Sequence, residues 1–354
     1  MSKTRLRLMS MNLENLFSPG ENFYGKSYTV DEYKSKIKWI ASIISSSVVH
    51  CVAVTELGSI SETCITDIIA AVNKLDEQDN MTAGDINMPP FAHSFAGEPG
   101  RGSAIRNGII SRFPISKTGI LDSYPDDFVV DLFDPQDSQW KEVPSSGYSR
   151  PVTFATITPP HGANPFNMFV VHLKSKRPRT ANHDDSNIAI GTARSAIQRN
   201  IEAAALRYYF DEFLPDQYDS DKNIATFVMG DFNDTPTSVP AENIRGSFDT
   251  RPGPASPWSG PDKKRLLNCA RLHLKFSAYE DKLFSYVHNE SFTLIDHIFV
   301  SEHLVSKFKR MEIFNDHVFR HQEIKIDTDI DKQWKSTVSD HGVIVIELNR
   351  MLKT

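Results

Sequence analysis

The 354 residues carry a formal net charge of −6, from 45 acidic and 39 basic side chains, and 40% of them are hydrophobic. This composition excludes a disordered or collagen-like chain and is sufficient to bury a large core without disulfides or structural metals. The acidic balance argues against a protein that coats nucleic acid indiscriminately, although a local basic rim could still serve a nuclease. The three cysteines, Cys51, Cys64 and Cys269, form no CxxC pair and predict a reduced compartment.

Charged and polar residues interrupt the N-terminal sequence too often for a signal-peptide core, and no stretch of the chain approaches transmembrane length. We therefore expect a soluble, cytoplasmic protein with no membrane partner. No internal repeat and no linker-like composition divides the sequence, which predicts a single domain over residues 1–354 and makes a monomer the simplest expectation.

The N-terminal third predicts a strand, a helix and a second strand. Residues 4–11 alternate between apolar and polar side chains, as a half-buried strand does. Apolar residues at helical spacing over 33–44 predict an amphipathic helix, and Thr29 and Glu32 have the spacing of a capping box at its start. The nearly continuous apolar run at 48–54 is rich in β-branched residues, which is typical of a central strand.

Further along the chain, residues 65–75 predict a second amphipathic helix, and a long helix over 192–214 should stop at Pro215. Strand-like runs occupy residues 108–111, 152–158, 166–173, 224–230, 293–301 and 343–348. Loops are predicted over 80–102, 122–147 and 247–264. Most successive strands lack a crossover helix, so the sequence predicts an α/β fold: a four-layer sandwich of two packed, largely antiparallel sheets flanked by helices.

Polar side chains stand at or just beyond the ends of these strands, where they could converge at one edge of a sandwich. They are Asn12, Glu56, His172, Asp231, Asn233, Asp296, Asp340 and His341. Burying such charges without a partner would be costly, so ion pairing or metal ligation is needed. The oxygen ligands of Glu56, Asp340 and Asn12 suit Mg²⁺ or Mn²⁺.

Taken in order, the motifs that contain these residues resemble those of the endonuclease/exonuclease/phosphatase superfamily, the DNase I-like group. They are Met11-Asn12-Leu13-Glu14-Asn15-Leu16-Phe17, Thr55-Glu56, Val171-His172-Leu173-Lys174-Ser175, Gly230-Asp231-Phe232-Asn233, Ile295-Asp296-His297 and Ser339-Asp340-His341. Each motif is weak alone, but six in the right order, from residue 12 to residue 341, form a specific pattern.

The resemblance implies roles for the residues around the metal and the attacking water. Glu56 matches the metal-binding glutamate, Asn12 the asparagine near the metal and the scissile phosphate, and Asp340 a second metal-site carboxylate. Asp231 matches the aspartate that positions or deprotonates the water, and Asn233 the residue that holds a phosphate oxygen.

The resemblance also implies phosphate-binding residues. His341 matches the histidine that contacts the phosphate and stabilises its developing charge, and Asp296 matches the carboxylate that orients this histidine. His172 resembles the strand-end histidine of pancreatic-type DNases. Arg150 stands where the family often places an arginine near the phosphate, although a surface salt bridge would also explain it.

Other polar residues have competing interpretations. The basic run after His172 is either a solvated face or a contact for the phosphate backbone; it consists of Lys174, Lys176, Arg177 and Arg179. His297 should point away from Asp296 and is expected to be structural. The pair Asp316-His317 lacks a following apolar strand and is expected to lie on the surface.

Missing motifs narrow the range of possible substrates. The signatures of inositol polyphosphate phosphatases are missing, and the stretch before Asp296 departs from that of abasic-site endonucleases. The sequence therefore predicts a Mg²⁺- or Mn²⁺-dependent phosphodiester hydrolase, a nuclease for which DNA is the favoured substrate and RNA is left open. A phosphatase or tyrosyl-nucleic-acid phosphodiesterase on small or terminal phosphoesters remains an alternative, as does a non-catalytic nucleic-acid-binding protein on the same fold.

Overall fold

The computed structural model describes residues 4–58, 62–79, 88–136, 138–143, 147–179, 185–219, 224–246, 265–274, 283–323 and 334–353. In chain order the main elements are β1 (Leu6–Leu16), α1 (Val30–Ser46), β2 (Cys51–Leu57), α2 (Thr63–Gln78), β3 (His93–Ala96), β4 (Arg106–Ser111), β5 (Ile115–Ser123), β6 (Asp131–Asp134), β7 (Gln139–Glu142), β8 (Gly147–Ile157), β9 (Phe166–His172), α3 (Asp185–Asp219), β10 (Ala225–Asp231), α4 (Val239–Arg245), β11 (Leu266–Asn268), α5 (Cys269–Leu274), β12 (Tyr286–His288), β13 (Ser291–Thr293), β14 (Asp296–Ser301), a 3₁₀ helix (Glu302–Lys307), β15 (Phe308–Phe314), α6 (Asp316–Glu323) and β16 (Val343–Leu348).

The first sheet has the strand order β15-β16-β1-β2-β4-β3. Its parallel pair is β1 and β2, which α1 connects, and the other neighbours run antiparallel. The predicted capping box starts α1: the Glu32 N–H donates to the Thr29 hydroxyl at 3.2 Å, and the Thr29 N–H donates to the Glu32 carboxylate at 2.9 Å.

The second sheet has the order β11-β14-β10-β9-β8-β5. Here β9 and β10 are parallel and α3 connects them, whereas β10 and β14 are antiparallel. A parallel pair places the carboxyl ends of both strands at the same edge of the sheet, which is the edge that carries the polar residues.

Three apolar clusters separate four layers. One lies between the sheets and contains Leu8, Ala53, Met168 and Phe227 among its members. A second fills the space between the first sheet and helices α1 and α2, and a third that between the second sheet and helices α3 and α4. The predicted α/β sandwich is therefore confirmed, with two mixed sheets flanked by helices.

Three local predictions were wrong. Pro215 lies inside α3, which continues to Asp219. Its missing N–H removes only one hydrogen bond near the helix end, and the packing of the preceding turns compensates for this loss. The loop predicted at 80–102 contains edge strand β3, and that at 122–147 contains the hairpin β6–β7. Both are short strands on the periphery, where a continuous apolar run is not required. The predicted loop at 247–264 lies outside the described residues.

Within the part of the chain that the structure describes, no helix is both long enough and apolar enough to cross a membrane.

Candidate active site

Strand register brings His172, Asp231 and Asp296 into one line across the second sheet. Asp231, at the end of the middle strand, pairs with His172 on the parallel side and with Asp296 on the antiparallel side. Gly230 makes this alignment possible, because a Cβ atom there would lie 2.0 Å from the Val171 carbonyl oxygen. All three side chains are almost fully buried.

His341 completes the row from the loop before β16. Its Nδ1–H donates to the Asp296 carboxylate at 2.8 Å, which leaves Nε2 facing the site. Burial disfavours the imidazolium, but the Asp296 and Asp340 carboxylates outweigh it and raise the pKa of His341 well above its usual value. The Ser339 hydroxyl accepts from the His341 N–H and donates to the Asn12 carbonyl, which fixes this loop against β1. His341 is thus a cationic donor held in one orientation.

Asn12 and Glu56 reach the same point from the first sheet. The Asn12 amide nitrogen donates to the Glu56 carboxylate at 3.2 Å and to the Asp231 carboxylate at 3.3 Å, so it bridges the two sheets. Glu56 has a left-handed backbone, with φ of 58°, and its second oxygen accepts the Asn15 N–H at 3.0 Å. Asn15 belongs to an irregularity in β1 that turns this N–H toward Glu56.

Three contacts from Asn233 and His172 surround Asp231. The Asn233 side chain donates to it at 3.0 Å and the Asn233 N–H at 2.8 Å, and His172 Nε2 lies 3.4 Å away. Burial and the nearby Asp296 carboxylate raise the pKa of Asp231 to about 7. Burial lowers the pKa of His172 well below its usual value, helped by the cationic Arg150, so a neutral imidazole lies beside Asp231. Asp231 is therefore positioned as a base for neutral pH.

The donor atoms fit a divalent cation. Ligand atoms of Glu56, His172 and Asp231 lie within 4.8 Å of one another, as do those of Asp231, Asp296 and His341. The carboxylates lie in a buried setting where each unpaired negative charge is costly, and oxygen-rich donors select hard ions. Glu56 offers the carboxylate best placed to hold such an ion, which leaves Asp231 available as the base.

Two predicted ligands and one predicted phosphate contact are placed differently. Asn12 turns its nitrogen to the carboxylates, because its oxygen accepts the Glu14 N–H at 2.9 Å. Asp340 borders the same cavity but stands 3.9 Å from His341 Nε2, outside both groups of ligand atoms. Asn233 donates its amide hydrogens to Asp231 and to the Leu173 carbonyl, so it orients Asp231 rather than offering a free donor to phosphate.

Cationic residues border the cavity of about 1110 Å³ that contains the site; they are Lys26, Arg150, Lys174, Lys176 and Arg177. Arg150 donates to the Leu173 carbonyl at 3.0 Å, and its buried Nε finds no partner among the described residues. Burial and Arg150 lower the pKa of Lys174 to about 8. Lys176 lies 3.6 Å from Asp234 and is half exposed, while Arg179 is not one of the described residues that border the cavity.

Sequence reasoning missed Glu202 and Arg199, which hold these loops in place from α3. Glu202, 1% exposed, accepts the Ser149 N–H at 2.8 Å and the Lys174 N–H at 2.7 Å. Arg199 donates to the Asp234 carboxylate at 2.9 Å and to the Lys174 carbonyl at 3.1 Å. One turn of α3 therefore binds the loops that follow β9 and β10 and the segment of β8 beside Arg150.

A second missed group supports the β1 irregularity from α1. Lys36, 1% exposed, donates to the Glu14 carbonyl at 3.0 Å and to the Tyr28 hydroxyl at 3.0 Å. Burial alone would raise the pKa of Glu14, but Lys36 and His321 outweigh it and lower the value. The sequence did carry a signal, because Lys36 is a charged residue on the buried stripe of α1.

Two histidines outside the row have structural contacts. His297 is structural as predicted: its ring nitrogens lie 2.8 Å from the Asp234 carbonyl and 3.3 Å from the Asn268 amide. His317 is not a surface residue. Its Nε2 donates to the His341 carbonyl at 2.9 Å, and its partial burial lowers its pKa.

Residues 60–341 match the endonuclease/exonuclease/phosphatase family. The chain belongs to this family. The matched range includes His172, Asp231, Asp296 and His341 but begins after Asn12 and Glu56, so the placement of those two rests on the structure.

Solved structures share the fold at low sequence identity. TDP2 from Caenorhabditis elegans has a TM-score of 0.51 at 12% identity, over 98% of this chain and 74% of that chain. An endonuclease/exonuclease/phosphatase protein from Bacteroides vulgatus has 0.50 at 11%, over 98% and 99%. The human nocturnin catalytic domain with bound sulfate anion has 0.50 at 11%, over 97% and 94%. Among proteins of curated function, none matches this sequence.

Family membership identifies a hydrolytic phosphoesterase of a kind that uses divalent metals. The site has the parts that such chemistry needs: a carboxylate near neutral pKa, an oriented cationic histidine, and carboxylate oxygens for a metal ion.

Proposed function

We propose that this chain is a Mg²⁺- or Mn²⁺-dependent nuclease that hydrolyses phosphodiester bonds of DNA by in-line attack of water. The observation that carries the proposal is the row of cationic residues beside the carboxylate–histidine centre, in one cavity. A nucleic-acid backbone offers successive phosphates to such a row, whereas a small phosphomonoester offers one. The acidic net charge of the whole chain makes this local concentration of cations more significant.

Each residue has a chemical task in this proposal. Asp231 accepts a proton from the attacking water, because its pKa of about 7 matches neutral conditions. His341 donates from Nε2 to the phosphate as negative charge develops there, and Asp296 holds the ring in place. One preorganised donor of this kind is worth about 10²–10³ in rate. A divalent ion, when bound, polarises the phosphate and offsets its charge.

Arg150 and Lys174 bind the phosphates that flank the reacting one. The buried Arg150 Nε retains a donor that no described group accepts, which supports this role. DNA is proposed before RNA because His172 stands at the strand end where pancreatic-type DNases carry a histidine.

The test uses supercoiled plasmid and closed circular single-stranded DNA with Mg²⁺ or Mn²⁺. We expect cleavage that EDTA abolishes, and a loss of at least about 100-fold in Asp231→Asn and His341→Ala. Circular dichroism should show that both variants are folded. Near-normal rates in both would refute the assignment of the site.

A substrate panel separates the alternatives. It should include matched RNA, p-nitrophenyl phosphate and an oligonucleotide with a terminal phosphotyrosyl bond. Preferential hydrolysis of the last two would favour the phosphatase or tyrosyl-nucleic-acid phosphodiesterase. Binding without hydrolysis of any substrate would favour the non-catalytic protein.

A further inference from the structure

Besides the buried Phe23, three aromatic side chains border the active-site cavity without a task in the hydrolysis: Tyr24, Tyr286 and His288. We propose that this aromatic platform stacks on unpaired nucleobases beside the scissile phosphate, so that the substrate is single-stranded or locally unpaired nucleic acid. The inference rests on the proposed nuclease function and adds the form of nucleic acid that the site accepts.

Tyr24 is presented to solvent by a tight turn. Phe23 and Lys26 exchange both backbone hydrogen bonds, at 2.8 and 2.9 Å, and the two residues between them have φ of 50° and 79°. These values are typical of a type I′ turn, which favours Asn or Gly at its first central position. A tyrosine there is strained and 66% exposed, and strain of this kind concentrates at ligand sites.

The base of this turn is rigid. The Phe23 ring stacks on Phe17 with centroids 4.6 Å apart and on Tyr28 at 5.2 Å. Both partners are buried against the first sheet and helix α1. Tyr24 is therefore an exposed ring on a fixed support, and stacking a base on it costs little loss of conformational freedom.

Tyr286 and His288 extend the aromatic surface outward from the catalytic histidine. They alternate along β12 and so share one face of the strand. The Tyr286 ring lies 5.1 Å from the His341 ring and 6.3 Å from the His288 ring, and the last two planes differ by 14°. This series of rings runs from the reacting phosphate to the exposed His288.

The order of strands places Tyr286 and His288 on the opposite side of Asp231 from Arg150 and Lys174, whereas Tyr24 comes from the segment between β1 and α1. Hairpin β12–β13 leads into β14, on one side of β10, whereas Arg150 and Lys174 come from β8 and β9 on the other side. A strand crossing Asp231 can thus meet cations with its phosphates and aromatic rings with its bases. In an intact duplex the base faces are covered by neighbouring pairs, so the platform requires bases that have left the stack.

The test asks whether the effect of removing a substrate base depends on the aromatic platform. Two short DNA strands are compared, each with one cleavable phosphodiester bond. One carries a normal base beside that bond, and the other carries a base-free tetrahydrofuran nucleotide at the same position. In the native protein, base removal should raise KM by roughly 5- to 100-fold, the range expected from stacking. In Tyr24→Ala combined with His288→Ala the same removal should raise KM by a clearly smaller factor, because only Tyr286 of the three stacking partners remains.

Two controls accompany this experiment. Tyr24→Phe keeps the ring and should behave as the native protein does. Trp140→Ala removes an aromatic side chain of similar exposure, 68%, from the β6–β7 hairpin away from the cavity, and should leave the response to base removal unchanged. A second measurement follows the fluorescence of 2-aminopurine in a single-stranded oligonucleotide, which stacking on the platform should quench. It uses the Asp231→Asn background, so that the oligonucleotide is bound but not cleaved.

Equal responses to base removal in the native protein and the double variant would overturn the platform, as would equally rapid cleavage of the same sequence as a duplex. The proposed nuclease function fails separately. If no nucleic acid is cleaved but quenching depends on Tyr24 and His288, the platform stands and the nuclease proposal is wrong. If neither cleavage nor quenching occurs, both are wrong.

Discussion

Replacing Glu202 by glutamine would remove the anion that ties two active-site segments to helix α3. Each carboxylate oxygen accepts one backbone N–H, from Ser149 at 2.8 Å and from Lys174 at 2.7 Å. Glutamine has the same size but one acceptor. Its amide group must therefore face one of these N–H donors with its own hydrogens, in a site where Glu202 is only 1% exposed.

The expected cost follows from these two bonds. A hydrogen bond to a charged group contributes about 1.5–3 kcal/mol, and a buried donor left without an acceptor costs about 1–3 kcal/mol. Glutamine keeps one bond in weaker, neutral form and loses the other, so the free energy of unfolding should fall by about 2–4 kcal/mol. This is less than the stability of most domains, about 5–15 kcal/mol, so the variant should remain folded at 25 °C.

Catalysis should fall as well, because the freed segments carry Arg150 and Lys174. A displacement of about 1 Å at a reacting group can cost about 100-fold, and we expect a loss of about 10- to 100-fold in kcat/KM on an oligonucleotide. Urea unfolding gives the stability change. Glu212→Gln, on an exposed part of the same helix, is the matched control and should be near neutral.

A combination with Lys174→Ala distinguishes positioning from general destabilisation. If Glu202 acts through the Lys174 segment, Glu202→Gln should reduce kcat/KM by a smaller factor when Lys174 is already alanine. The reasoning is refuted if Glu202→Gln leaves stability within about 0.5 kcal/mol of the native value and kcat/KM within about twofold.

Four further predictions concern other parts of the site. Burial lowers the pKa of His297 to about 4, against about 6.5 when unfolded, so its stabilisation is complete above pH 6.5 and is lost as pH falls toward 4. Urea unfolding should therefore show a loss of about 2 kcal/mol between pH 7 and pH 5 that His297→Gln does not show. Lys36→Met should lower the free energy of unfolding by about 2–4 kcal/mol in the same assay, because it leaves the Glu14 carbonyl and carboxylate without their buried partner. Mn²⁺ at about 100 times its Kd should stabilise the native protein by about 2.7 kcal/mol, and chelation should reverse this; an unchanged melting temperature would contradict the metal assignment. Replacing all four cations of the basic run by alanine should weaken DNA binding and flatten its dependence on salt concentration. Unchanged affinity would instead favour the interpretation of the run as a solvent-exposed face. The run consists of Lys174, Lys176, Arg177 and Arg179.

The sequence predicted the fold, and that His172, Asp231, Asp296 and His341 meet at one sheet edge, for a physical reason. Buried strands read as continuous apolar runs, and a polar residue at the end of such a run marks the edge of the sheet. Asp231 is the last residue of a seven-residue buried strand, and at the matching register β9 ends with His172 and β14 begins with Asp296. The pattern fixes which residues lie at the edge, and the pairing of strands fixes their distances.

Residues that act from outside the strands could not be found in this way. Glu202 lies on a helix, and only the packing of α3 on the second sheet brings it within 2.8 Å of Ser149. The turn at Tyr24 has no Asn-Gly signature, so its positive φ values could not be read from the residue type. The orientation of the Asn12 amide depends on the irregularity in β1, which sequence periodicity does not reveal.

The strand-end residues and the residues that hold them from the helices together explain how the site is built. The carboxylates of the site are crowded, so that burial together with Asp296 raises the pKa of Asp231 to about 7, and burial together with Glu14 raises that of Asp340 to about 7. Such an arrangement tends to move its groups apart, and it persists only where neighbouring structure holds them together. Lys36 beneath Glu14 and the Glu202–Arg199 turn of α3 provide that support from the two outer helical layers. The four-layer fold therefore contributes directly to catalysis, because each sheet supplies reactive groups and the helix behind it fixes where they stand.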